Sequence, residues 1–169
     1  MSKAFTKEDD TVEEPVSRLQ PPPLPPGVKN YLTPNGAHRL QEEMDQLVQI
    51  ERPKLIALID ANEAKRKMRI LDQRIANIGQ SLQSAEIVFP PSAPHEVVRF
   101  GATVTVQNSA GEKSAYRIVG IDETDLDKNW VSWRSPIASA LLNMRQGQRV
   151  KFRFPDGEDE LQIVGLSYE

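Results

Sequence analysis

The side chains that could do chemistry in this chain are few. Its 169 residues contain no cysteine, which excludes disulfide bonds, thiolate zinc sites and a cysteine nucleophile. The two histidines, His38 and His95, form no ligand cluster with a defined spacing, so we expect no metal site owned by the protein. What remains is a pair of acids, Asp60 and Glu63, followed closely by basic residues.

The two acids stand between two apolar repeats in the segment Asp60-Ala61-Asn62-Glu63. An aspartate just before a helix and a glutamate three residues later resemble a capping box, which satisfies backbone N–H groups that have no partner inside the helix. On the residues alone, helix capping is therefore the expected role of this pair.

Basic side chains follow the acids, namely Lys65, Arg66, Lys67, Arg69 and Arg74. They could contact an anionic partner, or they could form a solvated helix face with Glu63 and Asp72 as local ion-pair partners. Tight binding of duplex DNA is not indicated, because the net charge of the chain is −3 and such binding needs a basic surface.

Two helices must position these residues. Thr33 can cap the first helix, and Pro34 fits its first position because no N–H is needed there. The apolar stripe of this helix runs through Leu40, Met44 and Leu47 and resumes at Leu55, Leu58 and Ile59, so we expect Pro53 to bend the helix without ending it. The second stripe has spacings of 3, 4, 3 and 4 and consists of Met68, Leu71, Ile75, Ile78 and Leu82.

A short connection between helices makes them antiparallel neighbours, so the pattern predicts a helical hairpin of coiled-coil type over 30–89. No glycine or proline marks the turn, which leaves one continuous helix as the alternative. Residues 90–96 are predicted to form a linker. Residues 1–29 are acidic and then proline-rich, which predicts a disordered tail.

Beyond Glu96 the apolar period changes to two, which predicts strands. Turn sequences at Asn108-Ser109-Ala110-Gly111 and Pro155-Asp156-Gly157 predict two hairpins, and Ser135-Pro136 predicts the start of a short helix over 137–144. The chain is thus predicted to be α+β, with an antiparallel sheet of about five strands and one helix over 97–169. Without an apolar run of about 20 residues or a signal peptide, we expect a cytoplasmic protein with no membrane contact.

Taken together in their order, these segments resemble the bacterial GreA/GreB family of transcript-cleavage factors, and the GreB branch most. The resemblance covers residues 30–169 and implies an FKBP-like second domain. The matching segments are Leu32-Thr33-Pro34-Asn35-Gly36, Leu40-Gln41-Glu42-Glu43-Met44, Glu51-Arg52-Pro53, Phe100-Gly101-Ala102-Thr103-Val104, Tyr116-Arg117-Ile118-Val119-Gly120 and Ser135-Pro136-Ile137-Ala138-Ser139-Ala140-Leu141-Leu142.

The resemblance implies a monomer that binds RNA polymerase and is not itself an enzyme. In the family, the second domain docks on the polymerase rim and the hairpin enters the secondary channel. Acids at the hairpin tip help hold a Mg²⁺ ion shared with the polymerase active site, which cuts backtracked RNA. Carried over, Asp60 and Glu63 would be the tip acids, and Lys65, Arg66, Lys67 and Arg69 would contact RNA or the channel. The docking segment would be Trp133-Arg134-Ser135-Pro136.

This chain departs from the family in three places. Each hairpin arm is shorter by about six or seven residues, or about 10 Å of helix. The tip keeps the D-x-x-E spacing of Asp60 and Glu63 but lacks the family's preceding glycine and following asparagine. Arg134 stands where the family has an acid, a reversal that can change partner choice. On residue types alone, Ser135-Pro136 is a helix cap and Trp133 a sheet core residue.

A second resemblance leaves the function open. Pro94-His95-Glu96-Val97-Val98 resembles the linker of Rnk, a polymerase binder with a short hairpin. The alternative is therefore a polymerase binder that does not promote cleavage and competes with factors that do. Prolyl isomerisation by the second domain is a third interpretation, which rests on likeness of fold alone.

Overall fold

The structure, a computed structural model, describes residues 24–58 and 61–169, and it mixes helices with strands. Most of the predicted tail, together with Ile59 and Asp60, lies outside the described residues. The first part of the chain contains β1 (Asn30–Leu32), α1 (Pro34–Gln46), a π-helical segment (Leu47–Glu51), α2 (Arg52–Ile56), α3 (Ala61–Ser84) and β2 (Ala85–Ile87). The second part contains β3 (Thr103–Gln107), β4 (Lys113–Val119), β5 (Trp130–Ser132), α4 (Pro136–Leu141), β6 (Arg149–Phe154) and β7 (Gly157–Ser167).

Helix α1 begins as its sequence predicts. The Gly36 N–H donates to Thr33 Oγ1 at 2.9 Å, and Pro34 occupies the first helical position. Leu40 of α1 and Ile78 of α3 are buried together in one apolar cluster. Helices α1 and α3 are antiparallel. Glu43 in α1 contacts Arg74 in α3, whereas Asn30, before α1, donates to the Ser81 carbonyl near the end of α3.

The helix continues past Pro53, as predicted, although only as far as Ile56. The chain widens into the π-helical segment just before the proline, with the Arg52 N–H donating to the Leu47 carbonyl, and continues helically to Ile56. A proline ring crowds the carbonyl four residues earlier in an α-helix, and a wider turn relieves that contact. The extra residue also displaces the apolar stripe, and Val48 and Ile50 are left exposed.

The predicted extent of the helical hairpin is wrong at its end. Helix α3 stops at Ser84, and Ala85–Ile87 forms strand β2, which pairs in parallel with β1. The pairing joins residues more than fifty positions apart, Asn30 with Ala85 and Leu32 with Ile87. Helical periodicity cannot reveal such a pair, because strand pairing depends on a distant partner and not on neighbouring residues.

The second part forms a five-stranded sheet in the order β5-β4-β3-β7-β6. Both predicted hairpins are present, as β3–β4 and β6–β7. The prediction of a wholly antiparallel sheet is wrong at one edge, since β5 lies parallel to β4. Two 3-10 turns, Ile121–Glu123 and Leu126–Lys128, carry the chain back between these strands, so that β5 starts beside the middle of β4.

One face of the sheet and helix α4 enclose the larger apolar core. Ser135 caps α4 by accepting from the Ala138 N–H at 3.3 Å, as predicted, although the helix ends at Leu141 and not at 144. Burial alternates along β3, as the period of two implies, whereas β4 ends in three consecutive buried residues. The buried members are Val98, Ala102, Val104, Val106, Ile118, Val131, Ile137, Ala138, Leu141, Leu161 and Ile163.

The 3-10 turn Ile121–Glu123 joins the sheet to both long helices. Glu123 is buried and accepts the Thr33 N–H at 2.9 Å, the Gly120 N–H at 3.1 Å and the Thr33 hydroxyl. Its neighbour Asp122 accepts from the Ser81 hydroxyl at 2.5 Å. Two consecutive carboxylates therefore bind the start of α1 and the last turns of α3.

The buried carboxylate leaves no room for a side chain at Gly36. A Cβ atom placed there would lie 2.0 Å from Glu123 Oε1. A Cβ atom at Gly79, inside α3, would meet nothing within 4 Å. These two helical glycines therefore have different roles, and only Gly36 is required by packing.

We expect Gly36→Ala to lower the free energy of unfolding by about 1–3 kcal/mol, because the new methyl group overpacks the junction. Gly79→Ala should instead raise it by about 0.5–1 kcal/mol, since alanine is the better helix former. Urea unfolding followed by circular dichroism measures both. Equal effects of the two substitutions would contradict the proposed packing at Gly36.

Candidate functional site

Glu63 is the one predicted tip acid that the structure describes. It is the third residue of α3, it is exposed, and its carboxylate lies 2.5 Å from the Lys67 ammonium one turn later. Helix α3 is described from Ala61 onward and Asp60 lies outside the described residues, so the capping role of Asp60 stays a prediction. Glu63 is thus accessible to a partner, but it is already engaged with a cation of its own helix.

The basic residues after Glu63 divide into two groups. Lys65, Arg66 and Arg69 are exposed on the first turns of α3. Lys67 and Arg74 are held by ion pairs, Lys67 with Glu63 and Arg74 with Glu43. The first group is exposed to solvent, whereas in the second Arg74 joins α3 to α1 and Lys67 pairs within α3.

The Arg74–Glu43 pair is the stronger of these ion pairs. Arg74 Nε and Nη2 donate to the two oxygens of the Glu43 carboxylate, each at 2.7 Å, and the arginine is partly buried between α1 and α3. The hydrogen bond to Glu43 raises the pKa of Arg74 above its ordinary value, although burial acts in the opposite direction. A bidentate pair of this kind fixes both distance and orientation.

The predicted ion-pair partners of Asp72, the basic residues of α3, are wrong. Asp72 does not serve the basic residues of α3; it accepts from Arg52 Nε at 3.0 Å, across the gap to α2. The helices are therefore linked by two ion pairs at different heights, one at Glu43 and one at Arg52. Both were invisible in the sequence, because their members are 31 and 20 residues apart.

Two apolar side chains near the end of α2 are exposed, and one of them, Leu58, was predicted to be buried. Leu58, expected on the buried stripe, is 48% exposed, and Ile56 is 66% exposed. The reason is that α2 ends at Ile56, so that Leu58 no longer lies on the helix face that meets α3. The region around Glu63 is consequently not purely charged.

The predicted docking segment follows β5 and is held in place by its backbone. The Trp133 N–H donates to the Val119 carbonyl at 2.9 Å, and the Ser135 N–H to the Ser132 carbonyl at 2.8 Å. Trp133 packs against the core and meets the Tyr31 ring edge-on, with centroids 5.1 Å apart, so it is largely a structural residue. Arg134 and Pro136 are exposed and free to meet a partner.

Trp130 is a residue whose importance the sequence did not reveal. The guanidinium of Arg39, on α1, lies 4.5 Å from the centroid of its ring, and that of Arg117, on β4, lies 4.9 Å away. Lys128 is 5.0 Å from the same ring. Since Arg39 Nη2 also lies 3.5 Å from Glu123 Oε1, this stack adds a further contact between α1 and the sheet.

The described residues contain neither a membrane-spanning helix nor a cluster of metal ligands. No helix in them is long and apolar enough to cross a membrane. Nor do residues 24–58 and 61–169 hold a group of three or more histidine, cysteine, aspartate and glutamate side chains that could bind a metal ion.

Comparison with known proteins identifies relatives of one kind. Residues 93–168 match the family model described as transcription elongation factor, GreA/GreB, C-term. The chain is 36% identical over 154 residues to transcription elongation factor GreB of Neisseria meningitidis, which covers 83% of this chain and 94% of that protein. It is 29% identical over 155 residues to GreA of Helicobacter pylori, with the same two coverages.

Solved structures give matches of lower similarity. A GreA/GreB factor from Nitrosomonas europaea is 24% identical, covering 83% of this chain and 100% of that one, with a TM-score of 0.43. The GreA factor homolog Gfh1 of Thermus thermophilus is 23% identical, covering 83% and 99% of the two chains, with a TM-score of 0.40.

The ion pairs of α3 make a prediction about stability. Arg74→Ala removes the bidentate pair with Glu43 and should lower the free energy of unfolding by about 1 kcal/mol, a small value because the pair is partly solvated. Arg69→Ala, on the exposed face, should change it by less than about 0.5 kcal/mol. Urea unfolding in low salt and in 1 M salt provides the measurement, and the loss at Arg74 should shrink in high salt.

Proposed function

The chain belongs to the GreA/GreB family of transcription elongation factors, and from this premise we propose that it binds bacterial RNA polymerase at the secondary channel. The sheet domain, whose fold we interpret as FKBP-like, docks on the outer rim, while α1 and α3 enter the channel as a coiled-coil hairpin. The protein regulates elongation through the polymerase and is not an enzyme in its own right.

The exposed Arg134 on a fixed loop is the observation that carries this proposal. Backbone hydrogen bonds at Trp133 and Ser135 hold the loop on either side of Arg134, so the guanidinium projects from a rigid support. A preordered loop loses little entropy on binding. A guanidinium recognises carboxylates with two parallel hydrogen bonds, so we expect an acidic side chain on the polymerase rim opposite Arg134.

The exposed cations of α3 support the second half of the proposal. Lys65, Arg66 and Arg69 lie on the first turns of α3, the part of the helix farthest from the sheet junction at Ser81. A hairpin inserted by this end would bring them first to the RNA or to an acidic channel wall. Lys67, whose charge is paired with Glu63, would contribute less.

Promotion of RNA cleavage would require the tip acids to act on a metal ion of the polymerase. Glu63 is an exposed carboxylate, the kind of ligand that Mg²⁺ prefers, and Asp60 would be its companion. When bound, such an ion activates water for hydrolysis of the RNA. The part of this chain would be to supply one or two carboxylate oxygens and to hold them in position.

The second candidate function is a polymerase binder that does not promote cleavage. It is favoured by the Glu63–Lys67 contact, because a carboxylate neutralised by its own helix is a weaker metal ligand. The exposed Ile56 and Leu58, which precede α3 in the chain, also make this end less suited to a hydrated ion than a wholly polar tip. In this function the protein would occupy the channel and exclude cleavage factors.

Arg134→Asp tests the docking proposal. Charge reversal should weaken binding to polymerase from the same organism by about tenfold or more, because the rim contact becomes repulsive. Lys113→Asp is the control, since Lys113 is equally exposed but lies at the opposite end of β4 from the docking loop. Equilibrium binding of labelled protein to polymerase measures both, and equal losses would count against docking at Arg134.

Cleavage assays on backtracked elongation complexes separate the two functions. If the protein assists cleavage, Asp60→Asn and Glu63→Gln should reduce the rate by about tenfold or more, as expected for loss of a metal ligand. Lys67→Met should then raise it, because the Glu63 carboxylate loses a competing cation 2.5 Å away. If the protein only occupies the channel, the wild type will not stimulate cleavage and will inhibit a cleaving family member added to the same complexes.

A further inference from the structure

We propose that Glu123 is a positioning residue that sets the direction in which the helices leave the sheet. Nothing in its sequence context marks it, and it touches neither the docking loop nor the helix tip. It is one of the few buried charged residues among those described, with a side chain only 1% exposed. The expected effect of Glu123 on polymerase rests on the proposed function, whereas its effect on the orientation of the helices does not.

Each oxygen of the Glu123 carboxylate has its own set of donors. Oε2 accepts from the Gly120 N–H at 3.1 Å, within the sheet domain, and from the Thr33 N–H at 2.9 Å, at the start of α1. Oε1 accepts the Thr33 hydroxyl hydrogen and lies 3.5 Å from Arg39 Nη2. A buried carboxylate is costly unless such donors surround it, so the contact is strongly specified.

Thr33 links this contact to the direction of α1. Its hydroxyl oxygen accepts from the Gly36 N–H as the helix cap while its hydroxyl hydrogen goes to Glu123. The group that starts the helix is thus the group that the sheet domain holds. Any movement of Glu123 must therefore either move Thr33 with it or break the hydrogen bonds between the two residues.

A second attachment keeps the pair of helices from rotating about the first. Asp122, next to Glu123 in the same 3-10 turn, accepts from Ser81 Oγ on α3 at 2.5 Å. One short turn therefore holds α1 and α3 at separate points. Two attachment points restrict the orientation of the helix pair relative to the sheet more than either point would alone.

The length of α3 magnifies any error at this junction. The helix has 24 residues, which corresponds to about 36 Å. A change of about 10° at the base would move the far end by about 6 Å at that length. Since displacements near 1 Å can already impair catalysis, the accuracy of the tip depends on the accuracy of the Glu123 contacts.

Glutamine at position 123 would preserve the volume of the side chain but not its contacts. An amide has one acceptor oxygen where the carboxylate has two, and its NH₂ group cannot accept the Thr33 hydroxyl hydrogen. It would also face the Arg39 guanidinium as a second donor. Glu123→Gln should therefore loosen the junction while the apolar core of the sheet stays intact.

The absence of cysteine makes the direct measurement possible. Spin labels at Ala61→Cys, on the first residue of α3, and Lys151→Cys, on exposed β6, report the distance between helix end and sheet by pulsed electron resonance. In the free protein, Glu123→Gln should shift or broaden the distance distribution by several Å. Asp127→Asn, an exposed acid beside the same turn, should leave the distribution unchanged.

Two further variants keep the test decisive if Glu123→Gln fails to fold. Thr33→Ser retains the hydroxyl and should give the wild-type distribution, whereas Thr33→Val removes it and should broaden the distribution. A folded Glu123→Gln protein with the wild-type distribution would overturn the inference. So would identical distributions for Thr33→Ser and Thr33→Val.

Polymerase assays then separate this inference from the proposed function. Glu123→Gln should bind polymerase through an unaltered docking loop, with less than a threefold change in affinity, yet lose most of its effect on elongation complexes. If Glu123 only stabilised the fold, Glu123→Gln would instead lower polymerase affinity and the effect on elongation complexes together. If the distance changes but even the wild type does not bind polymerase, the proposed function is wrong and the positioning role stands.

Discussion

The fold depends on one buried carboxylate that must be surrounded by donors. Glu123 obtains them from both parts of the chain, Gly120 on the sheet side and Thr33 on the helix side. This requirement explains why position 36 is glycine, since a methyl group there would occupy the space of the carboxylate. The same carboxylate joins the start of α1 to the sheet side, next to the aromatic contacts of Tyr31 with Phe100 and Trp133.

The two parts of the molecule offer different features to a partner. The sheet supplies a loop held by backbone hydrogen bonds around Arg134, with its tryptophan partly buried and its arginine exposed. The helices supply reach, and the ion pairs Glu43–Arg74 and Arg52–Asp72 hold them together along that reach. At the far end of the helices, the Glu63 carboxylate lies against the Lys67 ammonium of the same helix. The loop around Arg134, the pairing of the helices and the region around Glu63 thus depend on separate contacts, which can be altered one at a time.

Local signals in the sequence were reliable wherever the physical cause was local. The caps at Thr33 and Ser135 and the hairpin turns were predicted and are present, because each depends on residues within a few positions. Three of the predictions that were wrong concern distant partners: the parallel pairing of β5 with β4, the strand β2, and the partner of Asp72. The others concern helix ends, since α2 stops at Ile56 and α4 at Leu141. For the candidate site, the sequence identified Glu63 and the basic residues but could not show which of them are already paired.

By itself, the sequence determined the helices, most strands, the two capped helix starts and the family. These features follow from periodicity, turn residues and caps, which act over a few residues. Only the tertiary structure decided how helices and sheet are joined, because Thr33 and Glu123 are 90 residues apart. A buried hydrogen bond between such residues leaves no periodic trace; it exists only once the chain has folded and water has been excluded from the carboxylate.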